Sequence, residues 1–229
     1  MADCNVVVLI SGSGSNLQAL IDSIAQDGNP ARIAAVICNR ADAYGLVRAQ
    51  NAGIPTRVLD HKQFDGREAF DAALIEAIDG FDPQLVVLAV GDVARSLEIA
   101  RVLREAYPDR KVLARARNRQ HVYQLWQLGI RQVWRETFDS ALSMGRAALE
   151  ATGLTAARAR RDARIFRQRD EALLVEQAEI YQNEPELVQS MQHAMNELRT
   201  LFERQDEADA AGGPSPAVPA AEPPLRPDR

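Results

Sequence analysis

A loop of glycine and hydroxyl residues follows the first apolar run of this 229-residue chain. Residues 6–10 are a run typical of a buried strand, residues 11–16 read Ser-Gly-Ser-Gly-Ser-Asn, and a helical pattern begins at Leu17. Glycines let a backbone approach a phosphate, and unpaired N–H groups at a helix start attract its charge. The predicted contacts of this phosphate- or substrate-binding loop are Gly12, Gly14, Ser15 and Asn16. A simple strand-to-helix turn with Ser15 as the helix cap remains the alternative interpretation.

Two arginines in the second half of the chain could bind an anion. Arg115 and Arg117 alternate along a predicted strand, so both side chains can converge on one carboxylate. They lie within residues 91–135, which hold 10 basic and 4 acidic residues, although the whole chain has a net charge of -5. This pattern predicts an anion-facing surface, whereas the acidic chain with 5% aromatic residues argues against nucleic-acid binding. An arginine pair that satisfies acidic groups at a dimer contact is the alternative.

The elements that must position these residues alternate between strand-like and helical patterns. Strands are expected near residues 5–11, 32–38, 55–59, 85–90, 111–116 and 132–134. Helices are expected near residues 16–26, 43–52, 66–79, 93–106, 119–128 and 137–152. This alternation predicts an α/β fold, a doubly wound, Rossmann-like parallel sheet of about six strands. Ligands of such a sheet bind outside the carboxyl ends of the strands, where the strand order reverses.

The sequence divides into three segments. Residues 1–153 are expected to form a doubly wound α/β domain made of two half-domains joined near residues 86–90. Residues 154–207 are expected to be a helical extension, with helices over Ala156 to Gln182 and Pro185 to Arg204 that carry narrow apolar stripes. Residues 208–229 are rich in alanine, proline and acidic residues, which predicts a disordered tail.

Cysteine use and hydropathy bear on where the chain resides. Cys4 and Cys38 lie in or beside predicted strands without metal-ligand spacing, so we expect buried, reduced thiols and no metal site. No apolar run approaches the roughly 20 residues that span a bilayer. These observations predict a cytoplasmic protein.

Three segments of the front half, residues 8–19, 38–46 and 67–71, resemble phosphoribosylglycinamide formyltransferase, also called glycinamide ribonucleotide transformylase, over about residues 1–89. The resemblance implies that the glycine loop grips the substrate phosphate, that Arg67 lies on the folate side and that 10-formyltetrahydrofolate is the cofactor. The proton-moving Asn-x-His-Pro segment of that family is absent, because the nearest string ends at His121 with the wrong spacing. No catalytic residue is therefore assigned. If the chain is an enzyme, it is a formyltransferase of this type.

Three segments of the rear half, residues 87–92, 114–125 and 135–142, resemble the regulatory nucleotide-binding domain of Kef-type, glutathione-regulated potassium efflux proteins. This second resemblance covers about residues 86–205. It implies a dimeric nucleotide-binding fold, NAD(H) as a cofactor, a membrane transporter as a partner and glutathione binding at Arg115 and Arg117. The chain lacks a Gly-x-Gly-x-x-Gly loop after the first strand and an acidic residue after the second, both of which dinucleotide sites use.

The two resemblances favour a composite, chimera-like Rossmann-type protein with a residual ribonucleotide-phosphate-binding loop and no intact formyltransferase active site. One alternative is a soluble Kef-type regulatory module that binds a small anion such as glutathione or a nucleotide. A second is an active phosphoribosylglycinamide formyltransferase of purine biosynthesis. The expected partners are a small phosphorylated or anionic ligand and a second copy bound through the C-terminal half. The aromatic residues expected in the core or at that dimer contact are Trp126, Trp134 and Phe138.

Overall fold

The computed structural model of the chain describes residues 4–26 and 29–210. The strands are β1 (Cys4–Ile10), β2 (Ala31–Cys38), β3 (Thr56–Val58), β4 (Leu85–Ala89), β5 (Lys111–Ala116) and β6 (Gln132–Arg135). The α-helices are α1 (Ser15–Ile24), α2 (Tyr44–Asn51), α3 (Arg67–Asp79), α4 (Val93–Ala106), α5 (Arg119–Gln127), α6 (Phe138–Ala151), α7 (Ala156–Glu176) and α8 (Glu184–Ala210). A short 3₁₀ helix covers His61–Gln63.

The six strands form one parallel sheet in the order β3-β2-β1-β4-β5-β6. This is the predicted doubly wound, Rossmann-like α/β fold. Its central strand β1 is apolar at consecutive positions because both of its faces are covered, and Val6 to Ile10 are each at most 3% exposed. The strand order reverses between β1 and β4, so the predicted ligand crevice lies between the loops that follow these two strands.

Strand register brings three loops to one point at the edge of the sheet. Ile10, the last residue of β1, pairs with Cys38 at the end of β2 and with Ala89 at the end of β4. The chain therefore leaves all three strands at the same level. The segments that begin at Ser11, Asn39 and Val90 are neighbours at the carboxyl edge of the sheet.

The chain forms two compact units, Met1–Glu136 and Thr137–Arg229. The first contains the sheet and helices α1 to α5, and the second contains α6 to α8. The sequence pattern predicts that α6 is the last helix of the α/β domain and packs on the sheet. In the structure α6 packs mainly on α7. The domain division at residue 153 stays a prediction.

The C-terminal helices differ in length from those predicted. The first ends at Glu176: the Gln177 N–H still donates to the Leu173 carbonyl, whereas the Ala178 N–H donates to the Val175 carbonyl in a tighter turn. Gln177 itself is fully buried, with its amide donating to Ser190 Oγ. The second extends to Ala210, so residues 208–210 of the expected tail are helical and residues 211–229 lie outside the described residues.

Several apolar side chains of the second unit face solvent. On α8, Val188, Met191 and Met195 are 50%, 42% and 69% exposed. Trp134 on the edge strand β6 of the first unit is 51% exposed, while Trp126 and Phe138 are half-buried. These surfaces are compatible with the expected homodimer, which stays a prediction.

Cys38 is buried, Cys4 is half-buried and both are free. Burial raises the pKa of the Cys38 thiol, which keeps it protonated. Within residues 4–26 and 29–210, no helix is long and apolar enough to cross a bilayer. The same residues contain no cluster of three or more histidine, cysteine or acidic side chains suited to a metal ion.

Candidate functional site

The glycine loop ends in a helix start that no side chain caps. Gly14 is the N-cap residue of α1, with a left-handed φ of 70°, and its carbonyl accepts the Gln18 N–H at 2.9 Å. The alternative interpretation of Ser15 as the cap is therefore wrong. Ser15 and Asn16 belong to the first turn and are exposed, so this helix start presents N–H groups to solvent.

The start of α2 fixes the conformation of this loop. The Gly45 N–H donates to the Gly12 carbonyl at 3.0 Å, and a Cβ on Gly14 would lie 2.6 Å from Gly45 Cα. Arg48 Nε donates to the Ser13 carbonyl at 2.9 Å. Sequence reasoning missed Gly45 as a loop contact, although it lies in a segment that resembles the formyltransferase. Its lack of a side chain is what allows the two backbones to meet.

The loop also contacts the segment that follows β4. The Gly91 N–H donates to Ser11 Oγ at 3.1 Å. A Cβ on Gly91 would lie 3.1 Å from Arg115 Nη2 and 3.9 Å from Ser11 Oγ. Both polar atoms therefore lie close to Gly91. The structure therefore brings Arg115 from the second half of the chain to the beginning of the glycine loop.

Arg115 and Arg117 approach one carboxylate, which belongs to the same chain. Arg115 Nη1 lies 3.4 Å from Glu136 Oε1, and Arg117 Nη1 lies 3.9 Å from Glu136 Oε2. The Arg115 side chain is 20% exposed and the Arg117 side chain 63%. Both distances are long for a charge-assisted hydrogen bond, so an anion with better geometry could displace Glu136.

Replacing Glu136 should strengthen anion binding at Arg115. Glu136→Gln removes the competing negative charge, and we expect the affinity for inorganic phosphate to rise by about 2- to 5-fold, the range of a partly exposed ion pair. Isothermal titration calorimetry measures the change. Glu105→Gln is the matched control, because Glu105 pairs with Arg101 on α4. Equal affinity in wild type and Glu136→Gln would show that this carboxylate does not compete.

His121 lies beside the arginines but is enclosed. It is 1% exposed, its Nδ1 accepts the Arg117 N–H at 3.1 Å, and its own backbone N–H donates to Asn118 Oδ1 at 2.9 Å. Burial, and secondly the charge of Arg115, lower the pKa of His121. The imidazole is therefore neutral with its proton on Nε2, which is buried without a hydrogen-bond partner among the described residues.

The lowered pKa of His121 should make stability depend on pH. Below about pH 6.5 the unfolded chain takes up a proton that the folded chain does not, so the folded state loses stability as the pH falls. Between pH 7.5 and 5.5 we expect wild type to lose more stability than His121→Gln, measured by urea unfolding. If the unfolding free energy of His121→Gln depended on pH as strongly as that of wild type, this assignment would be contradicted.

Arg67 lies at a surface that does not include the glycine loop. It begins α3, its Nε lies 3.6 Å from Asp71 Oδ2, and it lines a groove of about 310 Å³ along α4 and α5. The other lining residues are Ala94, Leu97, Glu98, Arg101, Gln124, Gln127 and Leu128. The structure thus brings Arg115 to the glycine loop, whereas Arg67 faces this groove.

Neither cofactor implied by resemblance fits the residues present. The formyltransferase resemblance implies a pterin-binding loop directly after β4, whereas Asp92 at this place caps α4 by accepting the Arg95 N–H at 2.8 Å. For NAD(H), no acidic residue follows β2, because Asn39 and Arg40 come next and Arg40 pairs with Asp42 at 2.7 Å. No chemical step is assigned to either group.

Family comparisons divide the chain into the same two halves as the sequence resemblances do. A family described as formyl transferase matches residues 4–91, the TrkA-N domain matches residues 66–136 and the potassium efflux system KefB C-terminal domain matches residues 140–217. The chain is composite. The first two matches overlap at residues 66–91, a range that includes the expected join at 86–90.

Individual relatives show the same division. Phosphoribosylglycinamide formyltransferase of Escherichia coli (strain K12) is 53% identical over 85 residues, covering 37% of the composite and 40% of the relative. The trifunctional purine biosynthetic protein adenosine-3 of Bos taurus is 52% identical over 84 residues, covering 37% and 8%. The composite therefore spans less than half of the curated relatives that it matches.

One solved structure spans both halves. The Shewanella denitrificans Kef CTD in its AMP-bound form is 29% identical, with a TM-score of 0.58, and the match covers 76% of the composite and 98% of that chain. The composite thus joins a formyltransferase-like N-terminal segment to a Kef regulatory segment within one doubly wound sheet.

Proposed function

We propose that the composite is a nucleotide-binding regulatory module that binds a nucleoside monophosphate such as AMP and does not transfer formyl groups. The phosphate lies on the start of α1, at Gly14, Ser15 and Asn16, and Arg115 contributes the positive charge. The observation that carries this proposal is the position of Arg115 against Gly91 and Ser11, which combines a charge from one half with the loop of the other.

Three further observations support this assignment. The helix start carries no side-chain cap and the first turn contains no acidic residue, so a phosphate meets no competing carboxylate there. Residues 91–135 have an excess of positive charge. The Kef CTD neighbour is described in an AMP-bound form. Because Glu136 competes for Arg115, we expect weak binding, with a dissociation constant on the order of 1 mM, about 4 kcal/mol.

The binding test compares AMP with adenosine in calorimetric titrations of the full chain. AMP should bind and adenosine should bind at least about 10-fold more weakly, because the phosphate supplies most of the interaction. Arg115→Ala should weaken AMP binding by about 10-fold, the effect of losing one charge-assisted hydrogen bond. Arg131→Ala removes the same charge elsewhere in residues 91–135 and serves as the control. Equal binding of AMP and adenosine, or no effect of Arg115→Ala, would contradict the proposal.

A second candidate ligand is glutathione, with a membrane transporter as the partner. It is favoured by the KefB C-terminal match over residues 140–217 and by the two arginines that converge on one carboxylate. A carboxylate of glutathione would then replace that of Glu136. Titration with glutathione separates the two candidates, because glutathione binding should depend on both Arg115 and Arg117 and should leave the amide signals of Ser15 and Asn16 unchanged.

A further inference from the structure

Arg48 on α2 lies against the glycine loop and is held there by neutral groups. Its Nε donates to the Ser13 carbonyl at 2.9 Å, its Nη1 donates to Gln18 Oε1 at 3.0 Å, and its guanidinium carbon lies 5.0 Å from the centre of the Tyr44 ring. These contacts fix the guanidinium beside the first turn of α1. Because none of the three groups carries a charge, the positive charge of Arg48 stays available to a ligand.

No carboxylate neutralises Arg48 in the described part of the chain. This arginine is half-buried, and within residues 4–26 and 29–210 it forms no ion pair. An indirect link to a carboxylate runs through Gln18, whose Nε2 donates to Asp22 Oδ1 at 2.8 Å. Charged side chains that leave water are usually paired, since the protein interior solvates a charge poorly. A fixed guanidinium without such a pair is suited to bind an anion.

We propose that Arg48 acts with Arg115 to make the site selective for dianionic phosphate monoesters over monoanionic esters. This inference rests on the proposed function. Arg115 lies close to Ser11 on the β4 side of the loop, and Arg48 contacts Ser13 from α2, which follows β2. Because β1 lies between β2 and β4, the two positive charges flank the start of α1.

The selectivity follows from the charge of the ligand. The second pKa of a phosphate monoester is about 6, so it carries nearly two negative charges at pH 7.5, whereas a sulfate ester or a phosphodiester carries one. Coulomb energy is proportional to the product of the two charges. Arg48 therefore contributes twice the interaction energy to a dianion, and its removal should lower the affinity for a dianion by the square of the factor for a monoanion.

The test compares AMP with adenosine 5′-sulfate, which has the same size and one negative charge fewer, by NMR titration of the full chain at pH 7.5. Wild type should bind AMP about 10-fold more tightly than the sulfate. Arg48→Met keeps the aliphatic stem without the charge, and should lower the affinity for the sulfate by about 3-fold and that for AMP by about 10-fold. Arg48→Lys keeps the charge and should retain the preference for AMP.

Arg32→Met is the matched control. It removes the same charge at the amino edge of the sheet, where Arg32 Nε donates to Asn5 Oδ1 at 3.0 Å, and should leave both affinities unchanged. Circular dichroism of each variant identifies any loss of affinity that comes from unfolding.

The ratio of the two affinities separates an electrostatic role from a structural one. If Arg48→Met lowered both affinities by the same factor, or wild type bound both ligands equally, Arg48 would only support the loop and this inference would be overturned. If AMP binding depended on Arg115 but not on Arg48, the inference would fail while the proposed function stood. If AMP did not bind wild type, the proposed function would be overturned and this inference with it.

Discussion

Gly14→Ala is expected to destabilise the protein by about 3 kcal/mol and to abolish AMP binding. Two effects add in this variant. Gly14 has a φ of 70°, which a side chain makes unfavourable, and the new Cβ would lie 2.6 Å from Gly45 Cα. Because that contact is with backbone, relief requires α2 to move away from the loop. Urea unfolding measures the loss of stability.

Gly12→Ala is the matched control within the same loop. A Cβ on Gly12 would have no atom within 4 Å, and this glycine does not have a positive φ. Its stability should change by less than about 0.5 kcal/mol. If both variants lost equal stability, or neither did, the described packing of the loop on α2 would be incorrect.

The second large expected effect is the absence of formyl transfer. We expect turnover of glycinamide ribonucleotide with 10-formyltetrahydrofolate to be about 10²- to 10⁴-fold slower than in a complete formyltransferase, the range that positioned acid–base groups contribute. The chain has no Asn-x-His-Pro segment. His121, which lies beside the two arginines, is enclosed with Nδ1 engaged by the Arg117 N–H.

The Escherichia coli formyltransferase assayed in parallel is the positive control for this result. A purine-requiring strain that lacks its own transformylases provides a more sensitive readout, because slow turnover suffices for growth. Growth of that strain on the composite, lost again in Gly14→Ala, would show that the chain is an active transferase and that the interpretation of its second half is wrong.

The fold could be predicted because its signals are local. Buried central strands read as apolar runs such as residues 6–10 and 85–90, and each is followed by a helical pattern, which together specify a parallel sheet. The position of the glycine loop followed from the same pattern. Its cap did not, because Gly14 takes that role through a conformation that depends on contact with Gly45.

The other contacts of the site depend on residues far apart in the chain, which sequence spacing does not reveal. Ser11 bonds to Gly91, 80 residues away, and Arg115 meets Glu136 across the β5–β6 pair. The buried state of His121 also depends on tertiary packing, since Arg119 and Gln120 before it are polar and do not indicate a buried position. The sequence pattern predicts a longer α7 than the structure has. Gln177 is a good helix former, so its residue type does not indicate a helix end, and its contact with Ser190 joins two separate helices.

The central claim is that two segments of different resemblance form one phosphate site. Titration of isotope-labelled protein with AMP tests it most directly, by following the backbone amides of Ser15 and Asn16 together with the side-chain Nε–H of Arg115. The account predicts that all three signals shift with a single dissociation constant and that adenosine leaves them in place. Shifts confined to α1 or to Arg115, or two different dissociation constants, would contradict it.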